Sequence, residues 1–233
     1  MVEEIEGALH EIANAETAAF LQRFFKTGTG EYGEGDRFLG IRVPVLRTLA
    51  RRYQSLDLAG CRTLLCSPYH EARLLALLIM VRAYERGDEE RRGSIYRTYL
   101  DHTACVNNWD LVDSSAEHIV GRHLVERDRS VLLELARSTS VWERRIAIMA
   151  TFHYIKAGAF VETIRIAQVL LLDPHDLIHK AVGWMLREVG KRDQAVAEGF
   201  LRPRYNQMPR TMLRYAIEKY PEARRQQYLR GEI

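Results

Sequence analysis

Cysteine, lysine and strand-like alternation are all scarce in this chain, and each shortage removes a class of protein. Its three cysteines, Cys61, Cys66 and Cys105, are odd in number and lack CxxC spacing, which argues against a disulfide framework or a zinc site. The eight histidines include no HExxH, and His118 and His123 lie five apart, poor spacing for one helix face. No metal, nucleotide, flavin or other cofactor is called for. No apolar run approaches the roughly 20 residues that span a bilayer. The acidic, amphipathic start MVEEIEGALHEI has neither the basic nor the apolar segment of a secretion signal. The expectation is a reduced, cytoplasmic, soluble protein without membrane contact.

Of the 34 basic residues only five are lysines, so arginine carries most of the positive charge. Arginine is the better fork for phosphate. The net charge of +3 is nevertheless too small to argue for nucleic acid by itself, and a local basic face would matter more. A hydrophobic content of 47% suffices for a real core.

What the chain has in abundance is apolar residues at helical spacing. Ile5, Leu9, Ile12, Ala15 and Ala19 recur three to four apart, with Phe20 and Phe24 continuing that face, so residues 1–26 read as an N-terminal helical region. Residues 27–37 form the one glycine-rich loop. Gly28, Gly30 and Gly33 spell GxGxxG, but they follow a helix and sit among Glu31, Glu34 and Asp36, which would repel a pyrophosphate. A flexible connection or mobile flap is the expectation. Pro44 suits the first turn of a helix running through Arg51.

From there helices repeat. Arg73, Trp109, Arg145, Lys180 and Arg214 follow one another at intervals of 34 to 36 residues, each near the start of an apolar helix. Shorter amphipathic helices are predicted between them at 57–66, 90–100, 128–137, 161–171 and 193–201. A period of this size with two helices per unit predicts an all-α fold, an α-solenoid of HEAT-like repeats. The whole of 1–233 is expected to be one curved domain, with repeats over 38–220 and a C-terminal tail at 221–233. Stacking would align the register positions along one concave wall, basic at Arg73, Arg145, Lys180 and Arg214, with Trp109 and Trp184 as indoles and Asp113 as the single acid. Each arginine has a plainer use in an ion pair within its repeat, for example with Glu71 or Glu143.

The stretch NNWDLVDSS (107–115) concentrates the chemistry. In a helix, Trp109 and Asp113 share one face, while Leu111 and Val112 serve the core. A carboxylate beside an indole suits a developing positive charge. The plainer alternative is a packed Trp109 and a solvated or capping Asp113.

Four segments together, FLGIRVPVLR (38–47), NNWDLVDS (107–114), VWERRIAI (141–148) and KAVGWMLRE (180–188), make the chain resemble the AlkD family of DNA alkylation-repair glycosylases over about 38–220. The resemblance implies HEAT-like repeats curved round duplex DNA, and excision of positively charged alkylated purines without flipping the base into a pocket; a monomer is expected. It implies Asp113 as the catalytic carboxylate, Trp109 and Trp184 as its indoles, and Arg145 as a phosphate contact. With the basic row, Arg47 of FLGIRVPVLR completes the expected DNA-binding set of Arg73, Arg145, Lys180, Arg214 and Arg47. Where the family has a tyrosine near the end of the early helix, this chain has Phe24 or Phe25. The reading from another class is a non-catalytic HEAT-repeat binder of branched or damaged DNA, or a protein scaffold.

Overall fold

The computed structural model describes residues 1–233, which divide into two compact units, Met1–Ile119 and Val120–Ile233. In the first unit the order is α1 (Val2–Glu11), α2 (Ala15–Phe24), α3 (Val43–Arg52), α4 (Leu58–Leu65), α5 (His70–Arg86), α6 (Glu89–Asp101) and α7 (Trp109–Asp113). A 3-10 turn at Thr103–Cys105 precedes α7, and a π-helical turn at Glu117–Gly121 follows it. The second unit holds α8 (Ser130–Ala136), α9 (Val141–Ala150), α10 (Phe152–Lys156), α11 (Val161–Val169), α12 (Asp176–Gly190), α13 (Gln194–Leu201), α14 (Arg210–Ala216) and α15 (Glu222–Arg230). No strand forms; a single isolated bridge joins Arg37 and Tyr69. The protein is all-α, with the succession of paired helices expected of an α-solenoid. None of its helices is long and apolar enough to cross a membrane.

Local chemistry explains most of the boundaries. Asn14, Asp57, Asp88, Asn108, Ser140 and Asp193 cap α2, α4, α6, α7, α9 and α13 by accepting a backbone N–H that the first turn cannot satisfy itself. The five short helices read from the sequence all form, displaced by no more than a few residues. The early helical region differs, breaking at residues 12–14, where Asn14 takes its N–H to the carbonyl of Leu39 and caps a second helix. Residues 221–233 also differ from a tail. They contain α15, whose Tyr228 is buried and whose Arg224 donates to Glu198 at 2.7 Å.

Each unit is built round one helix with little polar surface. In the first, α5 buries Leu74, Leu75, Leu77, Ile79 and Met80 and packs against α3, α4, α6 and α7. In the second, α12 buries Ile178, Ala181, Val182, Met185 and Leu186 and packs against α9, α13 and α14. The α12–α14 approach depends on Gly183, where a Cβ would sit 2.5 Å from the Met212 carbonyl oxygen and 2.5 Å from the Cβ of Tyr215.

The glycine-rich loop is the largest departure from expectation. It folds into hydrogen-bonded turns, with Gly28 and Gly30 donating to the carboxylates of Glu31 and Glu34 at 2.9 Å. Asp36 turns inward and is almost completely buried. It accepts from His70 Nδ1 at 3.0 Å, from Asn108 Nδ2 at 2.8 Å and from the guanidinium of Arg73. The opposite ring nitrogen of His70 donates to Asp110 at 2.8 Å. Glu71 receives the N–H groups of Leu39, Gly40 and Ile41 at 2.8–3.1 Å, fixing the next segment. The acids that exclude a nucleotide reading thus serve the fold.

Burial by itself would depress the His70 imidazole, but the charge and hydrogen bond of Asp110, joined by those of Asp36, lift it to about 9. Asp36 suffers desolvation too, yet its bonds to His70 and the Arg73 charge hold it below the usual carboxylate range.

Two outcomes follow for stability. An imidazole held at about 9 against its ordinary 6.5 stabilises fully below pH 6.5, and that stabilisation fades as pH rises through 9. Thermal melts should therefore fall between those values in the native protein, with most of that slope missing in His70→Gln; an identical slope in both would contradict the charged brace. In the second unit, Gly183→Ala should cost about 1–3 kcal/mol through overpacking. Gly199→Ala, which meets nothing within 4 Å inside α13, should gain about 0.5–1 kcal/mol, so denaturant midpoints must move in opposite directions.

Candidate active site

Trp109 and Asp113 are the first and last residues of α7, four apart on one face, and both are half-buried. Leu111 and Val112 are fully buried beneath them. The helix thus has one fully buried face and one that stays partly open, which carries Trp109 and Asp113. Asn108 links the site to the brace. Its Oδ1 caps the Trp109 N–H at 2.9 Å while its Nδ2 donates to Asp36.

Aromatic packing makes the second connection. The Trp109 indole stacks on Phe25 with centroids 5.0 Å apart and planes 12° from parallel. Phe25 stacks on Phe38 at 4.9 Å, and Phe38 on the His70 ring at 4.5 Å. A four-ring column therefore runs from an imidazolium to the indole, with the charged ring lying against an aromatic face, a favourable arrangement when water is excluded. Phe24 meets Trp109 edge-on at 6.1 Å and remains 55% exposed, as does its stacked neighbour Phe20 at 56%. Both candidates for the family's tyrosine thus touch Trp109, Phe25 from inside and Phe24 from the solvent side.

After Asp113 the helix stops. Ser114 Oγ donates to the Asp110 carbonyl at 2.6 Å and Ser115 Oγ to that of Leu111 at 2.5 Å, side-chain bonds that compete with continuation. A carboxylate in the last turn is at the unfavourable end of the helix dipole, so helix stability does not account for it. The Tyr99 hydroxyl, fully buried and 3.0 Å from Ser115 Oγ, lies within the electrostatic reach of Asp113; burial first, then that charge, pushes the phenol up.

In the second unit, Trp184 is half-buried on α12 and tilts against Phe152 at 6.1 Å, and the Lys156 ammonium lies 4.4 Å from the Phe152 ring. Arg145 is only 5% exposed, and its Nη1 donates to the Leu177 carbonyl at 2.6 Å. Its neighbour Arg144 pairs with Asp173 at 2.6 Å. Lys180 is half-buried and pairs with Asp176 at 2.6 Å, one turn back on α12.

The register cations are thus not equivalent. Arg73 is an internal ligand of Asp36 and of the Ser67 carbonyl, at 3.0 Å for the latter. It has the plain ion-pair use, though with Asp36 and not with Glu71. Arg214 and Arg47 are exposed. Sequence reasoning missed Asp36, His70, Glu71, Asn108 and Asp110 as site-building residues. Only Asn108, a capping residue just before a helix, carried a readable signal.

A family model described as DNA alkylation repair enzyme matches residues 5–220. A solved structure from Enterococcus faecalis, described as a predicted DNA alkylation repair enzyme, superposes with a TM-score of 0.69 at 16% identity, covering 90% of this chain and 97% of that one. At that identity the likeness is one of fold. No curated protein matches. With the family model covering nearly the whole chain, this protein belongs to the DNA alkylation repair enzyme family.

Proposed function

We propose that the protein is a DNA glycosylase that hydrolyses the N-glycosidic bond of positively charged alkylated purines, of the N3-methyladenine and N7-methylguanine type, in duplex DNA. The observation that carries this reading is the pairing of Trp109 and Asp113 on a five-residue helix whose position is fixed by a buried charge network and an aromatic column. A scaffold gains nothing from an acid on such a mount, and a plain phosphate-binding surface is weakened by it.

The chemistry asks for little else. An alkylated purine is already a cationic leaving group, so no general acid is required. As the C1′–N bond breaks, the sugar becomes oxocarbenium-like. An ionised Asp113 stabilises that charge and orients the capturing water. Trp109 packs on the deoxyribose beside Asp113 and adds cation–π stabilisation on the order of 1–2 kcal/mol when dry. Arg145, its guanidinium anchored on the Leu177 carbonyl, contacts a backbone phosphate. Arg47, Lys180 and Arg214 add sequence-independent phosphate contacts, while Arg73 contributes only through the brace. The base stays outside any pocket and the enzyme reads the sugar-phosphate.

Asp113→Asn should lower single-turnover release of 7-methylguanine by about a hundred- to a thousandfold, the loss of roughly 3–4 kcal/mol from one preorganised charge, with duplex binding equal or tighter. Unchanged release would end the mechanism, and release lost in step with melting temperature would make Asp113 structural. Arg145→Ala should weaken binding and release together, with Arg145→Lys recovering part. Duplex affinity should also fall as salt rises, because phosphate contacts release counterions.

A further inference from the structure

Cys66 and Cys105 are 39 residues apart in sequence, yet their sulfur atoms are 3.2 Å apart. Cys66 is exposed at the C-terminal end of α4, and Cys105 is half-buried at the end of the 3-10 turn that leads into α7. The remaining cysteine, Cys61, is buried inside α4, where desolvation pushes its thiol up to about 12 and leaves it unreactive. We propose that Cys66 and Cys105 form a thiol-oxidation site, which takes a low-molecular-weight disulfide as its oxidant and closes into an intramolecular disulfide that clasps the approach to α7.

The geometry sets the order of events. Cys66, the accessible sulfur, attacks the small disulfide RSSR as a thiolate, forming a Cys66–S–SR bond and releasing one thiol, RSH once protonated. Cys105 then attacks the Cys66 sulfur, giving the Cys66–Cys105 bond and a second RSH. In balance, two protein thiols and one RSSR become one protein disulfide and two RSH; the protein loses two hydrogens and the oxidant gains them.

The surroundings favour the second step once the first is complete. The Cys105 thiol is held up to about 11 by burial, with its hydrogen bond to Cys66 and the Cys66 charge adding to the effect, while Arg73 pulls the other way. Converting Cys66 to a mixed disulfide removes its charge, and the pull of Arg73 remains. The cross-link joins the α4–α5 turn, which leads through Ser67 and Tyr69 to His70, to the segment that leads through Val106 and Asn108 to Trp109. It therefore ties together the two chain segments that the Asp36 network already holds by charge.

The full-length reduced protein, incubated with excess oxidised glutathione, tests this. Intact mass should show the loss of two hydrogens with no retained glutathione, one thiol should remain titratable after denaturation, and digestion should give one peptide linking Cys66 to Cys105. Closing this loop should raise the melting temperature by roughly 5 °C or more, reversibly with dithiothreitol. Cys105→Ser should retain one glutathione on Cys66, and Cys66→Ser should form no internal disulfide. Glutathione persisting on the native protein, a cross-link to Cys61 or between chains, or three thiols left intact would overturn the proposal.

Discussion

A single protonated imidazole between two carboxylates braces the first unit around the Trp109 helix. His70 joins Asp36, from a loop that precedes it by more than thirty residues, to Asp110, from a helix forty residues beyond it. Three distant segments converge on one ring, and Arg73 and Asn108 supply the remaining donors to Asp36. Such a cluster is costly to desolvate and is strongly destabilised when one partner is removed. Its value here is geometric: opposite charges at hydrogen-bond distance tolerate little displacement, so segments with few regular backbone bonds acquire fixed positions.

Part of the arginine content has an internal explanation. Arg73, Arg92, Arg129, Arg144, Arg145, Arg204 and Arg210 all donate to backbone carbonyls. Many of these carbonyls lie at helix ends, where the last turn leaves acceptors without an intrahelical partner. A chain of many short helices has many such ends, and a five-donor fork reaches them better than an ammonium group. Part of the excess of arginine over lysine therefore serves the architecture.

The periodic features were the legible ones. Helices at 58–65, 89–101, 130–136, 161–169 and 194–201 lie close to where apolar spacing places them, because burial and period act locally. Trp109 and Asp113 were legible for the same reason, an i, i+4 relation that needs nothing beyond one helix. The brace was not. The pairing of Asp36 with Arg73 spans 37 residues and leaves no periodic trace, so Arg73 read as one member of a basic row. Glu31, Glu34 and Asp36 are all acids of one loop, and nothing in their spacing distinguishes a buried one from solvated ones. Gly183 is the intermediate case, since the KAVGW segment is visible while its close approach to α14 requires coordinates.

The brevity of α7 has a consequence for how the molecule opens. Five residues are far too few for a helix to stand alone, because nucleation costs more than so short a ladder returns. Its residence in the helical state is enforced from outside, by the Asn108–Asp36 bond, by the Asp110–His70 bond and by the face of Phe25. The glycine-rich turns and the Trp109 helix consequently form one cooperative opening unit, although more than seventy residues separate them in sequence. A disturbance confined to the turns at 27–37 would reach Trp109 and Asp113 as a change in population, with both residues chemically intact and simply less often in place.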